Sequence, residues 1–331
     1  MNKLFWKNKN VLVTGGSGFI GSWLCKQLTS MQVKVVVLDI KSPKEFLYSV
    51  HKISNKKALF VKGDVRNFIL VKNIIQNYKI DTIFHLAAEA IVSRALNSPY
   101  KTLDTNIKGT WNILEASRNN RYIKKIIIAS SDKAYGEADK LPYKEETPLK
   151  GKAPYEASKS CADLISQMYF TTYQLPVCVT RCGNVYGGGD YNLSRIIPGT
   201  IYSILKRERP IIRSDGTFLR DYIYIEDIIN AYITLAEKMN SKKIIGQTFN
   251  FGYNKPQSVL EVVKTILKLE KLEDLTPMIL DTVKYEIKDQ YSDATKAYKL
   301  LKWKPQWGFK NGLKQTIKWY KENINYLKND K

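Results

Sequence analysis

The sequence predicts an α/β fold, a doubly wound parallel sheet followed by a smaller mixed α/β C-terminal lobe. Apolar, β-branched runs recur as NVLVTGG, VKVVVLD, ALFVKGD, DTIFHLAA, KKIIIASS and PVCVTRCGNVYG. Short continuous runs of this kind suit strands buried on both faces. Between them lie segments of helical period, GSWLCKQLTSM, NFILVKNIIQNYK, PYKTLDTNIKGTWNILEASRNN and APYEASKSCADLISQMYFTTYQ. Regular alternation of strand and helix builds a parallel sheet through right-handed crossovers. Beyond about Gly187 the rhythm loosens into shorter elements, punctuated by Gly187-Gly188-Gly189, Pro198, Pro210, Pro256 and Pro305. The expected division is therefore a first domain over 1–187, joined by later returning segments, and a second lobe made mainly of 188–331.

Composition narrows the classes. With 331 residues, 44% hydrophobic and 25% charged, the chain has globular proportions and more length than the roughly 100–200 residues of an ordinary domain. Lys and Arg number 53 against 31 Asp and Glu, a net charge of +22. No five basic residues stand in a row and only ten of the 53 are Arg, so nucleic acid is not the expected partner. A field this positive still attracts small anionic ligands. Two histidines, His51 and His85, are too few for a His-rich metal site. Cys25, Cys161, Cys178 and Cys182 show neither CxxC pairs nor zinc spacing, so no metal and no disulfide framework is expected. The start MNKLFWKNKN lacks the apolar core of a signal peptide, and no run of about 18 apolar residues occurs. A soluble, cytoplasmic chain with no membrane partner is expected.

The first strand runs into Thr14-Gly15-Gly16-Ser17-Gly18-Phe19-Ile20-Gly21 and then a helix. Glycines at 15, 18 and 21 permit a tight turn, close approach of backbone to a pyrophosphate, and close helix packing, with the helix N-terminus facing the phosphates. A Gly-rich turn alone is weak evidence. This one follows the first strand, and the second strand ends in Asp39, where an acid binds the adenosine ribose hydroxyls. The pattern is that of a Rossmann-type dinucleotide site. A carboxylate at 39 accepts from a free 2′-hydroxyl and repels a 2′-phosphate, which favours NAD over NADP; Lys41 tempers that preference. Asp64 and Val65, at the end of the third strand, are expected near the adenine. Leu86-Ala87-Ala88 offers small side chains past which the cofactor can run, and Asn106 completes the expected cofactor set.

Two more segments suggest chemistry. The fifth strand ends Ala129-Ser130-Ser131-Asp132-Lys133-Ala134-Tyr135-Gly136, and the next helix opens Tyr155-Glu156-Ala157-Ser158-Lys159. Spacing i, i+4 puts Tyr155 and Lys159 on one helix face. There an ammonium would favour the phenolate and make Tyr155 a base near neutral pH. An isolated YxxxK is common by chance, but its place after the fifth strand of a dinucleotide fold points to function.

On TGGSGFIG, HLAA, the Tyr155/Lys159 pair, RCGNVYG, Arg220-Asp221-Tyr222 in RDYIYIEDI and the late Trp303-Lys304-Pro305, the chain resembles the extended short-chain dehydrogenase/reductase family over nearly its whole length. The resemblance implies NAD(P) in the N-terminal domain, a nucleotide-diphosphate sugar between the lobes, and a C-terminal lobe that binds substrate. Ser131-Asp132-Lys133 narrows the branch. The 4-epimerases usually have no acid after the catalytic Ser or Thr, whereas the 4,6-dehydratases place an acid there, commonly followed by Glu. SDK with RCGNVYGGGDY and RIIP is most similar to the CDP-glucose 4,6-dehydratase branch and related bacterial GDP-sugar enzymes, which serve surface-glycan (lipopolysaccharide or capsule) synthesis. A 4-epimerase or reductase is the second reading, and a non-catalytic RNA-binding or regulatory member the third.

The resemblance implies that Tyr155 takes the proton of the sugar 4-hydroxyl as C4 gives hydride to NAD, with Ser131 bonded to the 4-oxygen and Lys159 beside Tyr155. Asp132 would protonate the departing 6-hydroxyl if burial raises its pKa. Lys133, standing in place of the family's Glu, would take the C5 proton only if burial or nearby cations keep it neutral. The alternative is an Asp132–Lys133 ion pair supporting the strand end. By the same resemblance Asn184 and Arg220 would contact the diphosphate, with Arg195 and Arg213 as further cations and Ser93 and Arg94 bordering the sugar. Helices around 99–118 and 154–173 would pair in a homodimer.

Overall fold

The computed structural model describes residues 2–41, 51, 53, 57–283 and 286–325. One parallel sheet holds β1 (Asn10–Thr14), β2 (Lys34–Asp39), β3 (Ala58–Lys62), β4 (Thr82–His85), β5 (Lys125–Ala129), β6 (Val177–Cys182) and β7 (Thr248–Phe251), in the order β7-β6-β5-β4-β1-β2-β3. β1 pairs with β2 on one side and β4 on the other. Strand order therefore reverses at β1, and a crevice opens beyond its C-terminal end, where ligands of such sheets sit.

Each apolar run becomes a strand because both faces of the sheet are covered. Along β1, Val11 and Val13 enter one buried cluster and Leu12 the other, as alternation of side chains requires. On Leu12's side lie α2 (Phe68–Asn77), α3 (Gly109–Arg118) and α4 (Pro154–Tyr173), represented by Val71, Ile74, Ile113 and Tyr169. On the other lie α1 (Phe19–Ser30) and α5 (Ile225–Lys238), represented by Leu24, Leu28, Ile228 and Tyr232. Local chemistry sets the ends. The Asn67 side chain accepts from the Leu70 N–H at 3.0 Å to start α2. Pro154 opens α4, Glu156 accepts from the Ala153 N–H at 3.2 Å, and Gln174 closes it in the left-handed region at φ 55°.

The α/β class and β1 to β6 of the main sheet are as the sequence predicts. Two details differ. β7 and α5 follow residue 187 yet complete the main sheet and its cover, so the returning segments are substantial. The cluster beneath α1 and α5 also continues into the C-terminal helices through Val262, Ile266, Leu313 and Ile317, which gives the two parts one shared core. The 99–118 helix is likewise interrupted. It runs as Pro99–Leu103, a wide π-type turn at Asp104–Lys108, and then α3, a feature that inserts a residue without breaking the helix.

The C-terminal part adds Asn184–Tyr186 paired with Tyr222–Tyr224 and a small sheet of Leu219–Arg220, Gln257–Ser258 and Asp289–Gln290. In that sheet Gln290 lies opposite Arg220. Among the described residues no helix is long and apolar enough to cross a membrane, and no cluster of ligating side chains could hold a metal ion.

Candidate active site

The nucleotide end is built around the turn after β1. Gly15 adopts φ +70°, and a Cβ there would lie 2.8 Å from Ala87 Cα; one at Gly21 would collide with the Gly15 carbonyl. The glycines thus bring β1, the 86–88 loop and α1 closer than side chains allow. The Gly18 N–H donates to Gly15 O at 3.1 Å, and Gly18 is the N-cap of α1. Ser17 Oγ is buried with no hydrogen-bond partner among the described residues. An unsatisfied buried hydroxyl at a helix N-terminus matches the acceptors of a pyrophosphate. Phe19 and Ile20 are half-buried in the first turn of α1.

Asp39, at the end of β2, accepts from the Ser17 N–H and the Lys41 N–H, both at 2.9 Å. Burial pushes its carboxyl above the ordinary value despite those bonds and Lys41. Thr14 Oγ1 lies 2.8 Å from His85 Nδ1 and accepts from the Ala87 N–H at 3.2 Å. Burial lowers His85 to about 3, so this histidine is a neutral strut joining β1 and β4. Asn106, on the π-type turn, accepts from the Glu89 N–H at 2.7 Å and donates to Glu89 O and Ser158 Oγ. Its amide holds the 86–89 loop against α4.

At the reacting end, Ser131 follows β5 and its neighbours stand on a short turn, Asp132–Tyr135. Ser131 Oγ donates to Asp132 Oδ1 at 3.1 Å and accepts from the Lys133 N–H at 3.2 Å, and it stands close enough to Tyr155 to favour its phenolate. Tyr155 and Lys159 lie one turn apart at the start of α4. Lys159 is buried and donates to Ala129 O at 2.7 Å; burial lowers its ammonium to about 8. The expectation that this ammonium lowers the phenol pKa enough to make Tyr155 a base near neutral pH is corrected. Lys159 Nζ stands 6.0 Å from the Tyr155 ring, and desolvation pushes Tyr155 up to about 12, with Ser131 and then Arg195 opposing. The ammonium is turned to a carbonyl, so burial dominates.

Asp132 and Lys133 form no ion pair. Asp132 Oδ2 has no hydrogen-bond partner among the described residues, and burial raises this carboxyl to about 6. Lys133 Nζ donates instead to Gln290 Oε1 at 3.2 Å, and burial, then Arg220, push its ammonium below the ordinary value.

The remaining expected residues divide. Arg195 reaches Asp190 at 2.8 Å and its charge faces Tyr155. Asn184 lies half-buried at the start of its strand. Arg220 does not present a free guanidinium for a diphosphate: it is buried and donates to Leu219 O, Lys288 O, Ile287 O and Glu286. Four bonds saturate most of its fork and tie the 286–288 segment to the small sheet. Asp64 is likewise engaged, with Arg66 at 2.7 Å; burial raises its carboxyl, but Arg66 outweighs that and holds it below the ordinary value. Val65 is buried and its carbonyl accepts from Asn112, so it supports the site from below. Arg213, Ser93 and Arg94 are exposed.

Sequence spacing misses Gln290, 157 residues from Lys133 along the chain. It also misses the buried brace under the Asp132–Tyr135 turn. Arg181 holds Asp163 through two bonds at 2.7 and 3.0 Å and donates to Tyr135 Oη at 2.9 Å; Tyr135 then donates to Asn250 on β7. Only the Arg in RCGNVYG hints at it.

A family model described as GDP-mannose 4,6 dehydratase matches residues 12–316. The CDP-glucose 4,6-dehydratase of Salmonella typhimurium is 30% identical, with 97% of this chain and 93% of that protein covered. Among solved structures, the dTDP-glucose 4,6-dehydratase of Bacillus anthracis in complex with NAD superposes with a TM-score of 0.86 at 30% identity, covering 97% of this chain and 99% of that one. The UDP-glucose 4-epimerase of Thermotoga maritima, with UDP-glucose, gives 0.87 at 28% identity over 95% and 99%.

Proposed function

Because the chain belongs to the GDP-mannose 4,6 dehydratase family, we propose that it is an NAD-dependent nucleotide-diphosphate-sugar 4,6-dehydratase acting on CDP-glucose or a GDP-sugar. The observation that carries this is Asp132, a buried carboxyl lifted to about 6 with one oxygen unpartnered, bonded to the Ser131 that also meets Tyr155. A carboxyl whose pKa is lifted close to neutrality, so that a protonated fraction persists there, beside a redox pair is what loss of a hydroxyl demands and epimerisation does not.

Gly15, Ser17 and Gly18 would hold the pyrophosphate of NAD and Asp39 its adenosine ribose; once bound, the cofactor would supply the hydride acceptor for C4 and the hydride donor for C6. Tyr155 would take the 4-hydroxyl proton as its phenolate, a form that burial disfavours and that the positive nicotinamide of a bound NAD would favour, while Ser131 orients that oxygen. The resulting ketone acidifies the C5 proton, which Lys133 removes, and Asp132 delivers a proton to the departing 6-oxygen. The sequence is redox-neutral overall, so the cofactor is regenerated in place.

A 4-epimerase is the second reading, favoured by Lys133 in the place of the usual Glu and by the likeness to the Thermotoga epimerase. Purified protein incubated with CDP-glucose, GDP-mannose, UDP-N-acetylglucosamine and dTDP-glucose should lose one water from CDP-glucose or the GDP-sugar, read by mass spectrometry. Mass-neutral conversion of a substrate to its C4 epimer refutes the dehydratase.

A homodimer is part of this reading. Tyr100, Leu103, Trp111, Leu164 and Met168 are exposed on the 99–118 and 154–173 segments, Tyr100 at 81% and Leu164 at 55%. Apolar side chains gathered on two adjacent helices suit burial against a second copy.

A further inference from the structure

Gln290 is fully buried, in register with Arg220 on the small sheet. Its two amide ends differ. Oε1 accepts from Lys133 Nζ at 3.2 Å, whereas Nε2 has no hydrogen-bond partner among the described residues. An ammonium carries donors only, which fixes the amide with its oxygen toward Lys133. A buried donor left alone costs about 1–3 kcal/mol, so packing alone does not account for an amide here; Leu or Met would fill the space without that cost.

Charge surrounds Lys133 on the other sides. Arg220 faces it from the small sheet, Asp132 from its own turn, Glu286 from the segment before Gln290, and Glu156 from α4. Burial and then Arg220 drive the proton off, and the three carboxyls keep it on. The group in direct contact is uncharged. An amine that has lost its proton still has two N–H groups and one lone pair. A neutral acceptor can grip one N–H in either state and aim the lone pair, whereas a carboxylate in the same place would favour the ammonium.

We propose that Gln290 is a positioning residue for Lys133: its amide oxygen anchors one N–H and leaves the lone pair directed at the C5 proton of the sugar. The C5 proton rests on the dehydratase reading; the anchoring does not.

Two measurements on the NAD-loaded protein test it, each with wild type, Gln290→Glu and Gln290→Met. The first needs no sugar: the pH dependence of Lys133 acetylation by acetic anhydride, read by peptide mass spectrometry. Gln290→Glu should raise the labelling midpoint by about one pH unit or more, and Gln290→Met should not raise it. The second is water loss from CDP-glucose. Gln290→Glu should displace the acid limb of kcat upward while recovering activity at high pH, and Gln290→Met should lower kcat more than about tenfold with KM nearly unchanged. An unmoved labelling midpoint in Gln290→Glu overturns the proposal, as does an equal loss of kcat at every pH. If Gln290→Glu does not fold, Gln290→Met decides: normal kcat overturns the proposal. Wild-type protein that removes water from no nucleotide sugar refutes the dehydratase alone, and the labelling shift then decides the anchoring by itself.

Discussion

At the scale of single residues, the site sets chemistry against stability. Lifting Asp132 from 3.8 to about 6 by burial costs its ionised form about 3 kcal/mol. The folded-state pKa exceeds the unfolded one, so the fold prefers the protonated form, and stability is lost as pH rises from about 4 through about 6. Asp132→Asn keeps the shape without the charge. It should therefore unfold at higher urea than wild type at neutral pH, by about 1–3 kcal/mol, with the difference vanishing below about pH 4, while water loss falls by orders of magnitude. Equal stability at both pH values would show that the carboxyl is solvated. Tyr155 gives the complementary test. Removing its hydroxyl in Tyr155→Phe should lower kcat by about two to four orders of magnitude with an unchanged unfolding midpoint. Near-normal turnover would take Tyr155 out of the reaction.

Among the elements, the turn after β1 is the most exacting. Gly21→Ala would force its new methyl into the Gly15 carbonyl, whereas a Cβ at Gly308 meets nothing within 4 Å. NAD affinity measured by calorimetry should drop more than about tenfold in Gly21→Ala and stay unchanged in Gly308→Ala. Equal affinities would mean that the turn relaxes freely. This turn, Asp39 and the Tyr155/Lys159 spacing were legible because each is a local pattern whose residue types match one geometry. β1 to β6 were legible for the same reason, as continuous β-branched runs. β7 was not: TFNF is four residues long and its place beside β6 depends on a crossover through α5 rather than on its own composition. The bonds of Arg220 and Lys133 were equally hidden. Arg220 reads from sequence as a phosphate ligand, yet carbonyls from 287 and 288 take its fork, and Gln290 reaches Lys133 only because the 289–290 strand lies beside 219–220. Burial decided the Tyr155 and Asp132 pKa values, and burial is a property of the fold.

At the scale of the whole molecule, a sheet with a reversed strand order places the turn after β1 and the turn after β5 on either side of β4. The C-terminal part meets the second of these turns through Arg220 and Gln290, which face Lys133. The exposed apolar face outside α3 and α4 should be covered by a second copy. Leu164→Glu should then convert a dimer to a monomer in sedimentation, and a monomeric wild-type protein would refute that interface. The central claim is that hydride leaves C4, returns to C6, and water departs between the two steps. The direct test uses CDP-glucose carrying deuterium at C4, or the GDP-sugar likewise labelled, with the product read by NMR. The dehydratase account predicts deuterium in the new C6 methyl group, a keto carbon at C4 and a solvent hydrogen at C5. Deuterium retained at C4 of an inverted, intact sugar would contradict it.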